Sequence, residues 1–300
     1  MRVFVTGATG FIGSAVVNDL IEAGHQVVGL ARSEEGAAAV EAAGAEARRG
    51  TLEDLDLLRA AAAASDGVIH TAFNHDWADW AKASADDRLA IEAFGETLAG
   101  SDRPLVVASG TALVSMVAPG VLATEESDAP DPMPVPRVSE QTALSFADKG
   151  VRASAIRLAP SVHGEGDHGF VARLIEIARG KGAAAYIGEG ANVWPAVHRL
   201  DAARLFRLAL ESAPAGIRPH ATAEQGVPFR EIAEAIGRGL NLPVKSVTGD
   251  EVEAYFGGFA MFAGVDNPAS SALTRQWLNW RPEHVGLIED IEAGHYFEQK

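Results

Sequence analysis

The sequence predicts an α/β protein: a Rossmann-type doubly wound parallel sheet with a smaller C-terminal substrate-binding subdomain. Three observations predict it. Strand-like and helix-like segments alternate through the first half, a three-glycine loop joins the first strand to the first helix, and the rhythm loosens after Pro160.

Residues 2–6 read as the first strand and 13–23 as a helix with Val16, Val17, Leu20 and Ile21 on one face. A second strand (26–30), a helix (37–43), a short strand (45–48) and a helix (55–64) follow. Next come the buried strand 67–71, a helix (86–98) and a strand (105–108). Four prolines alternate through 128–136 and exclude regular helix there. A helix (139–147) and a strand (152–158) complete the half. Beyond Pro160, segments 170–179, 201–211 and 229–237 read as helices of a ferredoxin-like or small mixed subdomain over the sheet edge. The expected division is a nucleotide-binding core, 1–160, and a mixed portion, 161–300, with interleaved segments.

With 300 residues, 47% of them hydrophobic, the chain can bury an ample core. It has no cysteine, which excludes disulfides, iron–sulfur clusters and thiolate metal sites. Met1-Arg2 runs straight into strand-like Val3-Phe4-Val5, so no signal peptide is expected. No apolar run approaches the roughly 18 to 20 residues that span a bilayer. A cytoplasmic protein is the expectation. The formal charge of −16 repels phosphate-rich surfaces and opposes duplex DNA or an anionic membrane as partner. A small-molecule substrate is expected instead.

The loop Thr6-Gly7-Ala8-Thr9-Gly10-Phe11-Ile12-Gly13 lies between the first strand and the first helix. Its first glycine permits a tight turn, the second admits a pyrophosphate and the third lets helix pack on strand. The helix start faces the phosphates with open N–H groups and partial positive charge. Gly7, Thr9, Gly10, Phe11, Ile12 and Gly13 are therefore expected to hold a dinucleotide. At the end of the second strand, where an acidic residue would bind the adenosine ribose, stand Arg32 and Ser33. A guanidinium fork and a hydroxyl suit a 2′-phosphate, so the expected cofactor is NADP(H).

The spacing Thr-Gly-x-x-Gly-x-x-Gly resembles the extended short-chain dehydrogenase/reductase (NAD-dependent epimerase/dehydratase-like) family. Four further segments keep the family's order: Asp66 to Ala72, Leu105 to Val114, Arg157 to Gly164, and Val197 to Ala203. The resemblance implies that Leu52, Thr71, Ala72, Phe73, Pro160 and Val162 lie along the cofactor. It also implies helix-paired homodimers, although the helix that would pair is altered at its start.

Members of that family work with a Ser/Thr, a Tyr and a Lys. The likeness puts Thr111 at the hydroxyl position, with Ser109 as the nearby alternative. Counting back from Glu140 puts Pro136 at the lysine position and Pro132 at the tyrosine position. The three tyrosines, Tyr186, Tyr255 and Tyr296, lie elsewhere. The chain thus resembles atypical members. Arg137, one position from the vacant lysine, either reaches the nicotinamide ribose or a substrate carboxylate, or is a surface arginine at a helix start. His163, Tyr186 or water are candidates to supply the missing proton, though a buried structural histidine is the commoner case.

Asn74, Trp77, Trp194 and His198 are candidate substrate contacts, with core packing the competing role for Trp77 beside Trp80 and a helix-capping role for His198. The aromatic block 255–262 reads as a lid or a dimer contact. His163, Asp167 and His168 straddle glycines without a helical ligand pattern, so no metal is expected. The leading expectation is an NADP(H)-dependent oxidoreductase acting on a carbonyl/alcohol pair of a small molecule. A non-catalytic NADP(H)-binding sensor and a nucleotide-sugar epimerase or dehydratase are the alternatives.

Overall fold

A computed structural model describes residues 1–74, 79–116, 118–128 and 137–298. The first half runs β1 (Arg2–Thr6), α1 (Phe11–Glu22), β2 (Gln26–Ala31), α2 (Glu34–Ala42), β3 (Glu46–Arg49), α3 (Leu55–Ala63), β4 (Gly67–His70), α4 (Trp80–Leu98) and β5 (Pro104–Gly110). Short helices α5 (Ala112–Ser115) and α6 (Ser139–Leu144) lead to β6 (Arg152–Leu158). Then come β7 (Ser161–His163), α7 (Phe170–Lys181), β8 (Ala184–Ile187), β9 (Val193–His198), α8 (Arg199–Ser212) and β10 (His220–Ala221). The chain closes with β11 (Glu224–Pro228), α9 (Phe229–Leu240), β12 (Val244–Val247), α10 (Asp250–Phe256), α11 (Ala260–Ala263), α12 (Ala272–Leu278) and α13 (Leu287–Glu292).

Seven strands form one sheet in the order β10-β6-β5-β4-β1-β2-β3, every pair parallel. Its apolar strands are buried on both faces, as a parallel sheet requires. Alternation divides β1 between two cores. Val3 and Val5 meet Val16 and Leu20 of α1 with Phe206 and Leu210 of α8, while Phe4 joins Leu58, Ile91, Phe94 and Phe146 on the other face. The C-terminal half thus supplies a covering helix, α8, and an edge strand, β10.

The rest of that half is a mixed subdomain: a three-stranded sheet β11-β9-β7, a parallel pair β12-β8, and a core of Leu174, Trp194, Phe229, Ile232 and Ile236. No ferredoxin-like sheet occurs among the described residues. No described helix is long and apolar enough to cross a membrane.

Helix boundaries moved where caps set them. Ser33 accepts the Gly36 N–H at 3.1 Å and starts α2 early; Asp79 accepts the Lys82 N–H at 3.3 Å and starts α4 at Trp80. The helix expected through Ala147 stops at Leu144 and passes through a 3₁₀ turn to left-handed Gly150 (φ 74°).

Candidate active site

The glycine loop is built by close approach. Gly7 has φ +70° and its carbonyl accepts the Gly10 N–H at 2.9 Å. A Cβ on Gly7 would lie 2.7 Å from both Ala72 N and Thr71 Oγ1, and one on Gly13 only 2.0 Å from Gly7 O. No side chain caps α1, so its first N–H groups are not claimed from within the loop. Thr9, Phe11 and Ile12 stand at this rim. A cradle that any side chain would fill, under an uncapped helix start, fits a dinucleotide pyrophosphate.

The end of β4 forms the adjoining wall. Thr71 donates its hydroxyl to Thr6 O at 2.8 Å, and Ala72 N–H reaches Thr6 Oγ1 at 3.4 Å. Phe73 follows, and exposed Asn74 after it. Pro160 and Val162 are half-buried beyond β6, with Val162 packed on the core of α1 and α8. Leu52 packs against the core on the opposite face. Exposed Arg32 follows Ala31, whose register partner is Arg49, as Leu30 pairs with Arg48. The Ser33 oxygen caps α2, and its hydroxyl lies against the Glu35 carboxylate.

Arg137 stands at the junction of β4 and β5. Its guanidinium lies 4.3 Å from the Phe73 ring centroid, Nη2 donates to Ala108 O at 3.3 Å, and Nε donates to Ser139 Oγ at 3.3 Å. Burial lowers its pKa and the Asp87 charge opposes that shift. One residue beyond Ala108, the Ser109 hydroxyl makes no hydrogen bond among the described residues. Arg157 does a structural job nearby: Nε and Nη2 bind both Glu140 oxygens, at 2.8 and 2.6 Å, and tie α6 to β6.

Several expected site residues belong to packing instead. Thr111 is fully buried; its hydroxyl donates to Leu158 O at 3.4 Å and accepts from Asn267 Nδ2 at 3.1 Å. His163 is fully buried, with Nδ1 on Asp290 at 2.9 Å and Nε2 without a hydrogen-bond partner among the described residues. Tyr186 sits on β8 beside Gly190, under the Arg230 guanidinium at 5.2 Å. The Trp194 ring is 4.9 Å from Phe229 and 5.8 Å from Phe170, inside the second core. His198 accepts the Leu200 N–H at 3.3 Å and stacks on His284 at 4.7 Å; burial, then His163 and His284, push its pKa down to about 4. The aromatic block 255–262 is largely core, with Tyr255 and Phe256 buried and Gly258 and Met261 exposed. Trp77, Pro132 and Pro136 lie outside the described residues.

Three buried polar residues that partner these side chains were missed: Asp87, Ser139 and Asn267. For Asp87 a signal existed. It shares the buried stripe of α4 with Ala90, Ile91, Phe94 and Leu98, and a carboxylate on an apolar stripe needs a partner.

A doubly wound parallel sheet with this glycine cradle defines an extended short-chain dehydrogenase/reductase. The chain belongs to the NAD dependent epimerase/dehydratase family, whose model matches residues 3–128. It is 54% identical over 298 residues to an uncharacterized protein of Schizosaccharomyces pombe, covering 99% of this chain and 100% of that one. It is 28% identical over 258 residues to 2-alkyl-3-oxoalkanoate reductase of Stenotrophomonas maltophilia, covering 81% and 77% of the two chains. In fold it is similar to dTDP-glucose 4,6-dehydratase of Streptomyces venezuelae, solved with NAD and TYD bound: TM-score 0.77, 19% identity, 98% and 96% of the chains covered.

Proposed function

We propose that the protein is an NADP(H)-dependent oxidoreductase acting on a carbonyl/alcohol pair of a small molecule, with Arg137 doing the work of the absent lysine. The observation that carries this reading is the Arg137 guanidinium, stacked on Phe73 and tied to Ala108 O where β4 and β5 end. Open α/β sheets bind ligands at this carboxyl edge. The preference for the 2′-phosphate rests on exposed Arg32 beside Arg48 and Arg49, with no acidic side chain at the last position of β2.

A reduced nicotinamide would supply the hydride chemistry. Arg137 would hold the nicotinamide ribose and set its charge near the carbonyl oxygen, where negative charge develops. Ser109 donates a hydrogen bond to the same oxygen. The guanidinium remains protonated, so the proton that completes the alcohol comes from water. A reductase of 3-oxo acids among the relatives supports a ketone as substrate class.

The test is NADPH consumption with a panel of small aldehydes and ketones, for the wild type and Arg137→Met. Turnover by the wild type, about 10²-fold or more lower in the variant, is expected. NADPH binding without consumption of any carbonyl overturns the oxidoreductase reading in favour of a nucleotide sensor.

A further inference from the structure

A buried polar chain runs from the glycine loop to Arg137. His70 Nδ1 lies 2.7 Å from Thr6 Oγ1 and Nε2 lies 3.0 Å from Asp87 Oδ1; Asp87 Oδ2 accepts the Ser139 hydroxyl at 2.6 Å. Ser139 Oγ in turn accepts from Arg137 Nε at 3.3 Å. Thr6, His70, Asp87 and Ser139 are each at most 2% exposed, so no solvent replaces a lost partner.

One ordering of the donors and acceptors satisfies every group. Ala72 N–H donates to Thr6 Oγ1, whose proton goes to His70 Nδ1; His70 Nε2–H donates to Asp87. From the other end, Arg137 Nε–H donates to Ser139 Oγ and its hydroxyl proton goes to Asp87. Asp87 thus faces His70 directly and the Arg137 cation through a single hydroxyl. A buried carboxylate without a cation is costly, and so is a buried guanidinium without an anion.

We infer that Asp87 is the positioning residue for Arg137. Through Ser139 it fixes the rotamer and the charge of the guanidinium, and through His70 and Thr6 it locks that arrangement to the strand end carrying the glycine loop. The inference rests on the reading of Arg137 as a cofactor-holding residue. Asp87 itself touches neither cofactor nor substrate.

A double-mutant cycle read by NADPH fluorescence titration tests it. Arg137→Met and Asp87→Asn are each expected to weaken NADPH binding by about 10-fold, and the double variant by about 10-fold again in total, not about 100-fold, since Asp87 acts through Arg137. Ser139→Ala removes the connecting hydroxyl with less risk to folding and is expected to weaken binding about three-fold in the wild type and not at all beside Arg137→Met. Multiplicative effects of Asp87→Asn and Arg137→Met overturn the inference and assign Asp87 to the fold alone. If Asp87→Asn does not fold, a Ser139→Ala effect that persists beside Arg137→Met does the same. A wild type that binds no NADPH overturns the cofactor reading, and the inference with it.

Discussion

Replacing Gly13 by alanine puts a methyl group 2.0 Å from the Gly7 carbonyl oxygen and 2.7 Å from its carbon. Both are backbone atoms, so no side chain can swing away. Ordinary contact begins near 3.4 Å, and the start of α1 must retreat by about 1.4 Å or the Gly7 peptide must turn. A phosphate held by N–H groups at about 2.9 Å is then beyond hydrogen-bonding range. Losing two charge-assisted bonds, each about 1.5–3 kcal/mol, weakens nucleotide binding by roughly 10²- to 10⁴-fold.

Gly36 is the matched control in α2: its added Cβ would meet Ser33 Oγ and Thr9 Cγ2 at 3.4 Å, ordinary contact. Gly36→Ala should leave binding within about three-fold and raise stability by up to about 1 kcal/mol. NADPH fluorescence titration, with a thermal melt of each variant, measures both. A folded Gly13→Ala that binds NADPH like the wild type would refute the reasoning.

Arg157→Met leaves the buried Glu140 carboxylate with Arg218 Nε at 4.0 Å as its remaining cation and should cost about 3 kcal/mol by urea unfolding, whereas Arg157→Met with Glu140→Leu should recover much of that loss. Equal instability of the single and double variants would contradict the account. His220 is fully buried, its Nδ1–H on Ser270 O at 2.8 Å and its Nε2 3.4 Å from Arg157 Nη1; burial, then the Arg157 charge, push its pKa down to about 3. Its unfolded value is near 6.5, so the unfolded chain takes the proton first as pH falls. The stabilisation is complete above about pH 6.5 and is lost progressively toward pH 3, with His198 (about 4) adding in the same window. Urea midpoints should fall steadily from pH 6.5 to 4; a flat profile would contradict this.

Local features were legible and long-range partners were not. The glycine loop, β1 and α1 are specified within the first 22 residues, where spacing and apolar periodicity act together. Thr111 read as catalytic because its partner, Asn267, is 156 residues away and the seal it makes has no local trace. For His163 both a structural and a catalytic reading stood open for the same reason, with Asp290 127 residues distant. Trp194 alternates to the side of β9 that meets Phe229, and an aromatic near glycines looks the same in a pocket as in a core. Arg137 was half legible: its offset from the vacant lysine was visible, but its orientation comes from Phe73, Ala108 and Ser139, brought together only when β4, β5 and α6 assemble.

The central claim is that this chain holds NADP(H) at the glycine loop and recognises the 2′-phosphate through Arg32. Parallel titrations with NADPH and NADH, on the wild type and Arg32→Ala, test it most directly. The account predicts NADPH binding at least about 10-fold tighter than NADH, with most of that difference abolished by Arg32→Ala. Equal binding of the two nucleotides, or an Arg32→Ala variant that keeps the preference, would contradict the assignment of the 2′-phosphate; binding of neither would contradict the claim as a whole.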